Sequence, residues 1–555
     1  MRINDLTAAL DDDSTLEELC ARRLKVPRGA IRSVELIRKA IDARRRHGAP
    51  IVFNYVVDVE YSSKEAGVAE AGGQPPAVAS PSKTPARPFT ASLSKEAGAD
   101  NAGGNRLHHL GAASVGGSVG GAPSFRRPVV IGFGPAGMFA ALTLARAGFN
   151  PIVFERGSDV DTRSKDVEKF FDGGDLNPES NVQFGEGGAG TFSDGKLTTR
   201  IDDPLTREVI DAFIDAGAPT DIKYLQKPHI GTDRLRGVVK NIRKKILALG
   251  GEIFFNARLT DIEIADGRIK AAIINAGDRL ECDAIFLGIG HSARDTYEML
   301  SKAGVLMEPK AFAIGVRIEH PQEFIDRAQY GADFDNPKLP RADYFLTYKG
   351  EDRGAYTFCM CPGGTVIAAA TELGVVTNGM SCYDRASGVA NAAVLSTVGL
   401  NDFDGRDPLC GVRFQKMWEA RAFDLGGRNY RAPIQTVGDF LNGRSGSKEF
   451  WTTPTYPRGF VTADLHECLP SAVARTLEEA LRAFDRKIKG FASDGAVLTG
   501  VETRTSAPLR IVRDRKNFMS ANVEGLYPIG EGAGYAGGIM SSAVDGMKAA
   551  MCFID

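Results

Sequence analysis

Four short apolar runs, each ending in a turn of glycines or a carboxylate, carry most of the structural signal in this chain. Val129 to Ile131 is an apolar stretch of strand length that breaks at Gly132-Phe-Gly134-Pro-Ala-Gly137. Apolar positions then continue to about Ala147 and predict a helix, and a second strand, Ile152 to Phe154, ends at Glu155. Leu280 to Gly290 contains a third run that closes on Leu-Gly-Ile-Gly, and Leu526 to Ile529 a fourth that ends at Gly530-Glu531. A helix of small residues is predicted from about Ile539. Between these anchors, Arg207 to Ala216 and Thr232 to Leu249 carry helical periodicity. Ile253 to Ile289 predicts a strand meander turning at Asp266-Gly267. Near the start of the chain, Thr15 to Leu24 and Val34 to Arg46 predict helices and Ile51 to Val59 a strand.

Composition divides the chain further. From Ser62 to about Arg127 it shifts to Ala, Gly, Ser and Pro, a mixture that buries too little apolar surface to offset its ordering entropy. The expected organisation is therefore a small α/β module at 1–61 and a flexible insertion at 62–127. A nucleotide-type domain follows, made from 128–308 and 496–555, and a substrate or cap domain of strands and helices at 309–495 interrupts it. The fold class is α/β, Rossmann-like, with an inserted α+β domain. No internal repeat is evident.

The glycine turn has a chemical meaning. Gly132 permits the tight strand-to-helix turn, Gly134 lets a pyrophosphate approach the backbone, and Gly137 lets the helix pack close to the strand. With Pro135 and Ala136 these residues open a helix whose unpaired N–H groups and positive dipole end favour phosphate. Glu155, about twenty residues on, is placed to accept hydrogen bonds from ribose hydroxyls, and Arg156 follows it. A carboxylate there repels a 2′-phosphate, so the site suits FAD or NAD rather than NADP. The Gly530-Glu531 turn and the four glycines from Gly532 to Gly538 look like the second FAD motif of glutathione-reductase-like flavoproteins. That resemblance gives Glu531 the ribityl chain. It aims the helix beginning at Ile539, preceded by Gly537 and Gly538, at the flavin edge where negative charge develops on reduction. Gly288-x-Gly290 lacks a third glycine and a following apolar helix, so it is not a second dinucleotide site.

Charge and cysteine usage narrow the class. The chain has 555 residues, a formal net charge of −2, 43% hydrophobic and 25% charged residues, so it offers no electrostatic case for nucleic acid. No apolar run reaches transmembrane length, and no signal-peptide core is present. Eight cysteines without regular spacing suggest reduced thiols and a cytoplasmic setting. Cys359-x-Cys361 matches neither the thioredoxin motif nor zinc-ligand spacing, and no metal is expected.

Further segments carry a family resemblance. These are Gln183 to Leu197, His229 to Arg236, Gly290 to Asp295, Phe358 to Gly364, Val501 to Pro508 and, in the small module, Ile41 to Arg45. In them the chain resembles the FAD-dependent dehydrogenases, or NAD(P)/FAD-dependent oxidoreductases, of the glutathione-reductase-like superfamily. The match covers about 128–555, and the 62–127 tract departs from the pattern. The resemblance implies non-covalent FAD and leaves the reaction open.

Candidate site residues follow from both readings. The loop Gly185 to Lys196 has five glycines and is expected over the FAD, with Gly187, Gly188, Gly190 and Thr191 as contacts and Gly290 on the neighbouring strand end. Lys196 is either a cation near the flavin or a solvated surface lysine. His291 and Arg294 are read as structural or near the cofactor, with catalysis as the lesser alternative, His291 having an ordinary pKa suited to acid–base work. Cys359 and Cys361 share strand parity, so they form either a redox or substrate-facing pair or two packed thiols. Arg504 either holds a substrate anion or makes a structural ion pair. The expected function is an FAD-dependent oxidoreductase that exchanges hydride between flavin N5 and a small organic substrate, with NAD(P)H as candidate electron donor. A flavin monooxygenase and a non-catalytic flavin-binding scaffold or redox sensor are the alternatives.

Overall fold

The computed structural model describes residues 1–44, 50–62 and 127–555. The sequence reading of 62–127 as a flexible insertion falls, but for its two end residues, outside the described residues.

The apolar runs form the sheet their pattern predicts. Strands Leu526–Pro528, Ile285–Leu287, Val129–Ile131, Ile152–Phe154 and Glu252–Phe254 lie side by side in that order, and every pairing is parallel. The four strands that come from the apolar runs are buried throughout, as strands covered on both faces must be. Helices Pro135–Arg146 and Ile539–Ile554 pack against one another over this sheet. Their contact depends on Gly546, where a Cβ would fall 2.0 Å from the Ala136 carbonyl oxygen. The long helix Thr232–Ala248 joins the same core through Leu235, Val238, Val239 and Ile242. A three-stranded antiparallel meander, Leu259–Ala265, Arg268–Ile274 and Asp278–Glu281, rises beside the sheet. This is a Rossmann-like nucleotide fold.

The chain leaves that half and returns to it through a two-stranded ribbon, Met307–Pro309 against Leu509–Ile511. The inserted body is a seven-stranded sheet in the order Thr347–Lys349, Gly354–Cys361, Val389–Val398, Phe312–Pro321, Val497–Glu502, Ala432–Thr436, Phe460–Thr462. Helices Cys410–Leu425 and Ser471–Lys487 contribute to its core. The 496 boundary expected from sequence is displaced. Val497–Glu502 pairs antiparallel with Phe312–Pro321 and with Ala432–Thr436, so it is an interior strand of the inserted sheet. Its mostly apolar, fully buried segment, Val497-Leu-Thr-Gly-Val-Glu502, reads equally well as an interior strand of either sheet.

The first sixty residues also differ from expectation in one element. Strands Arg2–Ala9, Val52–Tyr61 and Ile31–Asp42 form an antiparallel sheet with helix Leu16–Leu24 on it. The stretch predicted as a helix at Val34 to Arg46 is thus a strand as far as Asp42, and residues 45–46 lie outside the described residues. Its register slips twice, between Ile31 and Ser33 and between Leu36 and Arg38. Each slip reverses side-chain parity. Apolar residues therefore recur at Val34, Ile37 and Ile41, spacings that imitate a helical period. The module is sewn to the nucleotide half by Lys39, whose N–H donates to the Tyr224 carbonyl and whose carbonyl accepts from Gln226 N–H. Among the described residues, no helix is long and apolar enough to cross a membrane.

Candidate functional site

A cavity of about 1570 Å³ opens between the three bodies. A pocket for one drug-sized ligand occupies roughly 300–1,000 Å³, so this one has room for a large cofactor and a second molecule. One end is lined by the glycine turn, Glu155, Arg156, the Gly188–Gly190 loop, Gly288, Gly290 and Glu531. The other end is lined by the inserted sheet, including Cys359, Cys361, Tyr344 and Tyr356, and by Lys39 and Phe53 of the small module.

The glycine turn is built by steric necessity. At Gly132 the backbone is left-handed, with φ of 89°, and a Cβ would sit 2.4 Å from the Gly288 carbonyl oxygen. At Gly137 a Cβ would sit 1.9 Å from the Gly132 carbonyl oxygen. Gly134 is different, because its nearest neighbour would be Gly188 Cα at 3.5 Å, an ordinary contact. Protein packing therefore does not require glycine at position 134. The backbone there lines the cavity.

Glu155 ties this turn to two others. One carboxylate oxygen accepts from Phe133 N–H at 2.7 Å, and the other accepts from Gly157 N–H at 2.9 Å and Gly185 N–H at 3.0 Å. A carboxylate offers about four acceptor sites. Three are occupied, which leaves one for a hydroxyl in the cavity. Arg156 is held by Glu179 and Asp295 and stacks over Phe184, with its guanidinium 4.1 Å from the ring centroid.

The loop over the turn is braced by a residue that sequence reasoning missed. Arg163, fully buried on helix Val160–Phe171, donates to the carbonyls of Asn181, Val182, Gly185, Glu186 and Gly188. A Cβ on Gly185 would fall 2.4 Å from Arg163 Cδ, so the loop glycines serve this arginine as well as the cavity. Gly187 is closed off in the same way, since a Cβ there would fall 2.1 Å from Thr191 Oγ1. A Cβ on Gly190 would meet Ile539 at 3.0 Å. The only sequence signal for the brace is that Arg163 stands on the apolar face set by Val160, Val167 and Phe170.

Ion pairs join the two large bodies. Glu419 of helix Cys410–Leu425 binds Arg294 and Arg504 together, at 2.6 and 2.8 Å, and Thr503 adds a hydroxyl. Arg504 Nη1 donates to Thr371. The two guanidinium groups hold the Glu419 carboxyl far below the usual carboxylate range even though burial opposes this. Burial and these two arginines push His291 down to about 3, so its imidazole is neutral and cannot act as an acid near neutral pH. Of the two uses open for Arg504, a substrate anion or a structural ion pair, the structure shows the second, with its guanidinium taken by Glu419 and Thr371.

Cys359, Cys361 and Lys196 do converge on the cavity wall. Strand parity is not the reason. The register slips between Phe358 and Cys361, and Cys359 has a left-handed backbone with φ of 41°. The Cys361 thiol donates to the Cys359 carbonyl oxygen at 3.3 Å. Cys359 is open to the cavity, yet the enclosing walls desolvate its thiol and push it up to about 12. Burial raises Cys361 as well, opposed in both by the nearby Lys196 charge, so both remain thiols at neutral pH. The chemistry of a nucleophilic thiolate is thereby disfavoured. Desolvation pushes half-buried Glu531 up to about 7, against the Lys310 charge and a hydrogen bond from Gly538 N–H.

Comparison with known proteins places this architecture. The model of a family described as FAD-dependent protein, C-terminal domain-like, matches residues 311–505, and a domain of unknown function (DUF8436) matches residues 1–60. An uncharacterized protein of Clostridium beijerinckii is 48% identical, covering 100% of this chain and 98% of its own. The chain belongs to the FAD-dependent protein family. Among solved structures, a geranylgeranyl bacteriochlorophyll reductase-like protein from Thermoplasma acidophilum matches 76% of this chain and 76% of its own at 12% identity and a TM-score of 0.34. Glycine oxidase from Geobacillus kaustophilus matches 76% and 93% at 9% identity and a TM-score of 0.34. The cofactor of this FAD-dependent protein is FAD.

The residues present fit that cofactor. Gly134 is a glycine that no protein atom requires, Glu155 keeps one acceptor site, and Glu531 lines the same end of the cavity. The turn residues Pro135 and Ala136, the strand end Gly290, and Gly537, Gly538 and Ile539 gather around that end, with Gly530 and Thr191 just behind the wall. The inserted-body boundary at 505 in the family match agrees with the strand pairing of Val497–Glu502.

Proposed function

We propose that this FAD-dependent protein is an oxidoreductase whose cofactor lies along the glycine-lined end of the cavity and whose small organic substrate enters at the other. The observation that carries the reading is one continuous cavity bounded by a dinucleotide turn on one side and an inserted sheet on the other. Bound FAD supplies hydride exchange at its isoalloxazine N5. The chain supplies the rest. The amides that open helix Pro135–Arg146 receive the pyrophosphate, Glu155 takes one ribose hydroxyl, and Glu531 takes the ribityl chain. Arg156 closes the adenine side. The N-terminus of helix Ile539–Ile554 and the Lys196 ammonium favour negative charge on the reduced ring. Cys359 and Cys361 contribute wall and hydrogen-bonding groups as thiols, and NAD(P)H is the candidate electron donor.

The test is the visible spectrum of the purified protein, followed by anaerobic titration with NADPH and then NADH. A flavin band bleached by one nicotinamide supports the reading and names the donor. No flavin band, even after FAD is added, refutes it. A band that bleaches with neither nicotinamide rules out the donor and leaves the substrate as the source of electrons.

A further inference from the structure

The end of the cavity away from the glycine turn has an unusual lining. Phe345 is 59% exposed and Phe358 38% exposed, and both line the cavity, where large apolar side chains gain nothing from water. Tyr344 and Tyr356 stand beside them.

Charge on the same wall is unbalanced. Lys227, Arg341 and Arg385 line the cavity too, and each is paired, with Asp343, Asp326 and Asp194. Glu502 is taken by Arg317. Three other cations on the wall, Lys39, Lys196 and Arg200, have no carboxylate within 4.0 Å among the described residues. Two of them sit over rings instead. The Lys39 ammonium is 4.8 Å from the Phe53 centroid, and the Arg200 guanidinium 5.7 Å from the Phe345 centroid. Asp194 also acts on Lys196 through space, beyond ion-pair distance, so Lys39 and Arg200, each above an aromatic face, are the least balanced charges on this wall. The cations come from two bodies, Lys39 from the small N-terminal module and the others from the nucleotide half, so the chamber is complete only when both are in place.

We propose that this chamber binds a planar ring carrying an anionic group, and that the N-terminal module supplies one of its cationic walls through Lys39. This rests on the oxidoreductase reading and names its substrate class. The ring stacks among Phe345, Phe358 and Tyr356, and the anion is received by Arg200, Lys196 and Lys39. Two sources share this chemistry, an aromatic carboxylate and the nicotinamide end of a phosphorylated dinucleotide.

Calorimetric titration of the flavin-loaded full chain separates them. The probes are benzoate, 4-hydroxyphenylacetate, their neutral amides, and NADPH. Binding of the carboxylates at least about tenfold tighter than of the amides, weakened by added salt, supports the proposal and names an aromatic acid. Binding of NADPH alone supports it and names the dinucleotide. Arg200→Ala and Lys196→Gln are each expected to weaken the bound anion roughly ten- to hundredfold, as loss of a charge-assisted contact requires. Arg200 is exposed, so its variant is expected to fold, and a retained flavin band verifies that. Amides that bind as tightly as acids, variants with unchanged affinity, or no binding by any probe to protein that retains its flavin band overturn the proposal and leave the flavin reading standing. Protein without flavin refutes that reading, and the same titration on it still tests the chamber.

Discussion

Two glycines three residues apart separate cofactor binding from folding. At Gly137 a methyl group would sit 1.9 Å from the Gly132 carbonyl oxygen and 3.3 Å from a Val130 methyl. Carbon and oxygen in contact need roughly 3 Å or more, so the turn or the helix must move by about 1 Å within a close-packed core. Overpacking of that kind costs about 1–3 kcal/mol or more. At Gly134 the nearest atoms are 3.5 and 3.9 Å away, and its φ of −79° is open to any residue. Gly134→Ala should therefore change the stability of the flavin-free protein by less than about 1 kcal/mol. On the proposed placement the same methyl group stands where the pyrophosphate approaches the backbone, and losing one charge-assisted amide contact costs about 1.5–3 kcal/mol. The expected result is FAD affinity lower by roughly ten- to hundredfold for Gly134→Ala with an unchanged melting temperature. Gly137→Ala should lower both. Thermal melts of flavin-free protein and titration with FAD give the two quantities. If Gly134→Ala retains wild-type FAD affinity, the cofactor does not approach this turn, and the placement is wrong.

Three further outcomes follow from the site. Arg163→Met removes donors from five loop carbonyls and should cost about 3–5 kcal/mol, with loss of bound flavin; a variant that keeps its flavin and its melting temperature would show that the brace is dispensable. Glu419→Gln leaves two buried guanidinium groups with only the part-exposed Glu372 as counter-charge and should destabilise the protein by up to about 3–5 kcal/mol, read in urea melts, with little change expected if the cluster is not a joint. Burial raises Glu531 to about 7, so in the flavin-free protein its contribution to stability is present below its ordinary value near 4.5 and is lost as pH rises through 7. Sugar hydroxyls that donate to Glu531 favour the carboxylate, so FAD affinity should rise between about pH 5.5 and 8. Glu531→Gln should flatten that rise, and an unchanged profile would remove Glu531 from the ribityl site.

The parts of the fold that were legible in sequence are those where local chemistry and tertiary role coincide. The parallel strands at Val129 and Ile152 are apolar on both faces, and the turn after the first needs glycine whatever surrounds it. The strand Ile31–Asp42 was not legible, because two register slips hide its period. Val497–Glu502 was placed in the wrong sheet, because a fully buried strand has the same composition in either. Arg504 looked like an anion receptor for the same reason that it is a good ion-pair partner: a planar fork of donors serves both uses. Only the position of Glu419, 85 residues upstream, decides between them.

That difference has a physical basis that reaches the whole site. The residues proposed to touch the cofactor lie on turns whose geometry the local sequence dictates, so a motif announces them. The groups that hold those turns in place come from afar. Arg163 braces the loop after it, Glu419 joins Arg294 to Arg504, and Lys39 carries the N-terminal sheet to the cavity wall. Each is an ordinary charged residue in its own segment, and each acquires a role only from what the fold brings against it. The unpaired cations illustrate the converse. Lys39 and Arg200 belong to no motif, and Lys196 reads equally well as a surface lysine. Yet a wall that pairs its other basic groups at contact distance and leaves these three outside ion-pair distance of a carboxylate has a charge that the proposed ligand would balance. The substrate chamber is thus read from what the protein leaves unsatisfied, and the cofactor end from what its turns cannot do without.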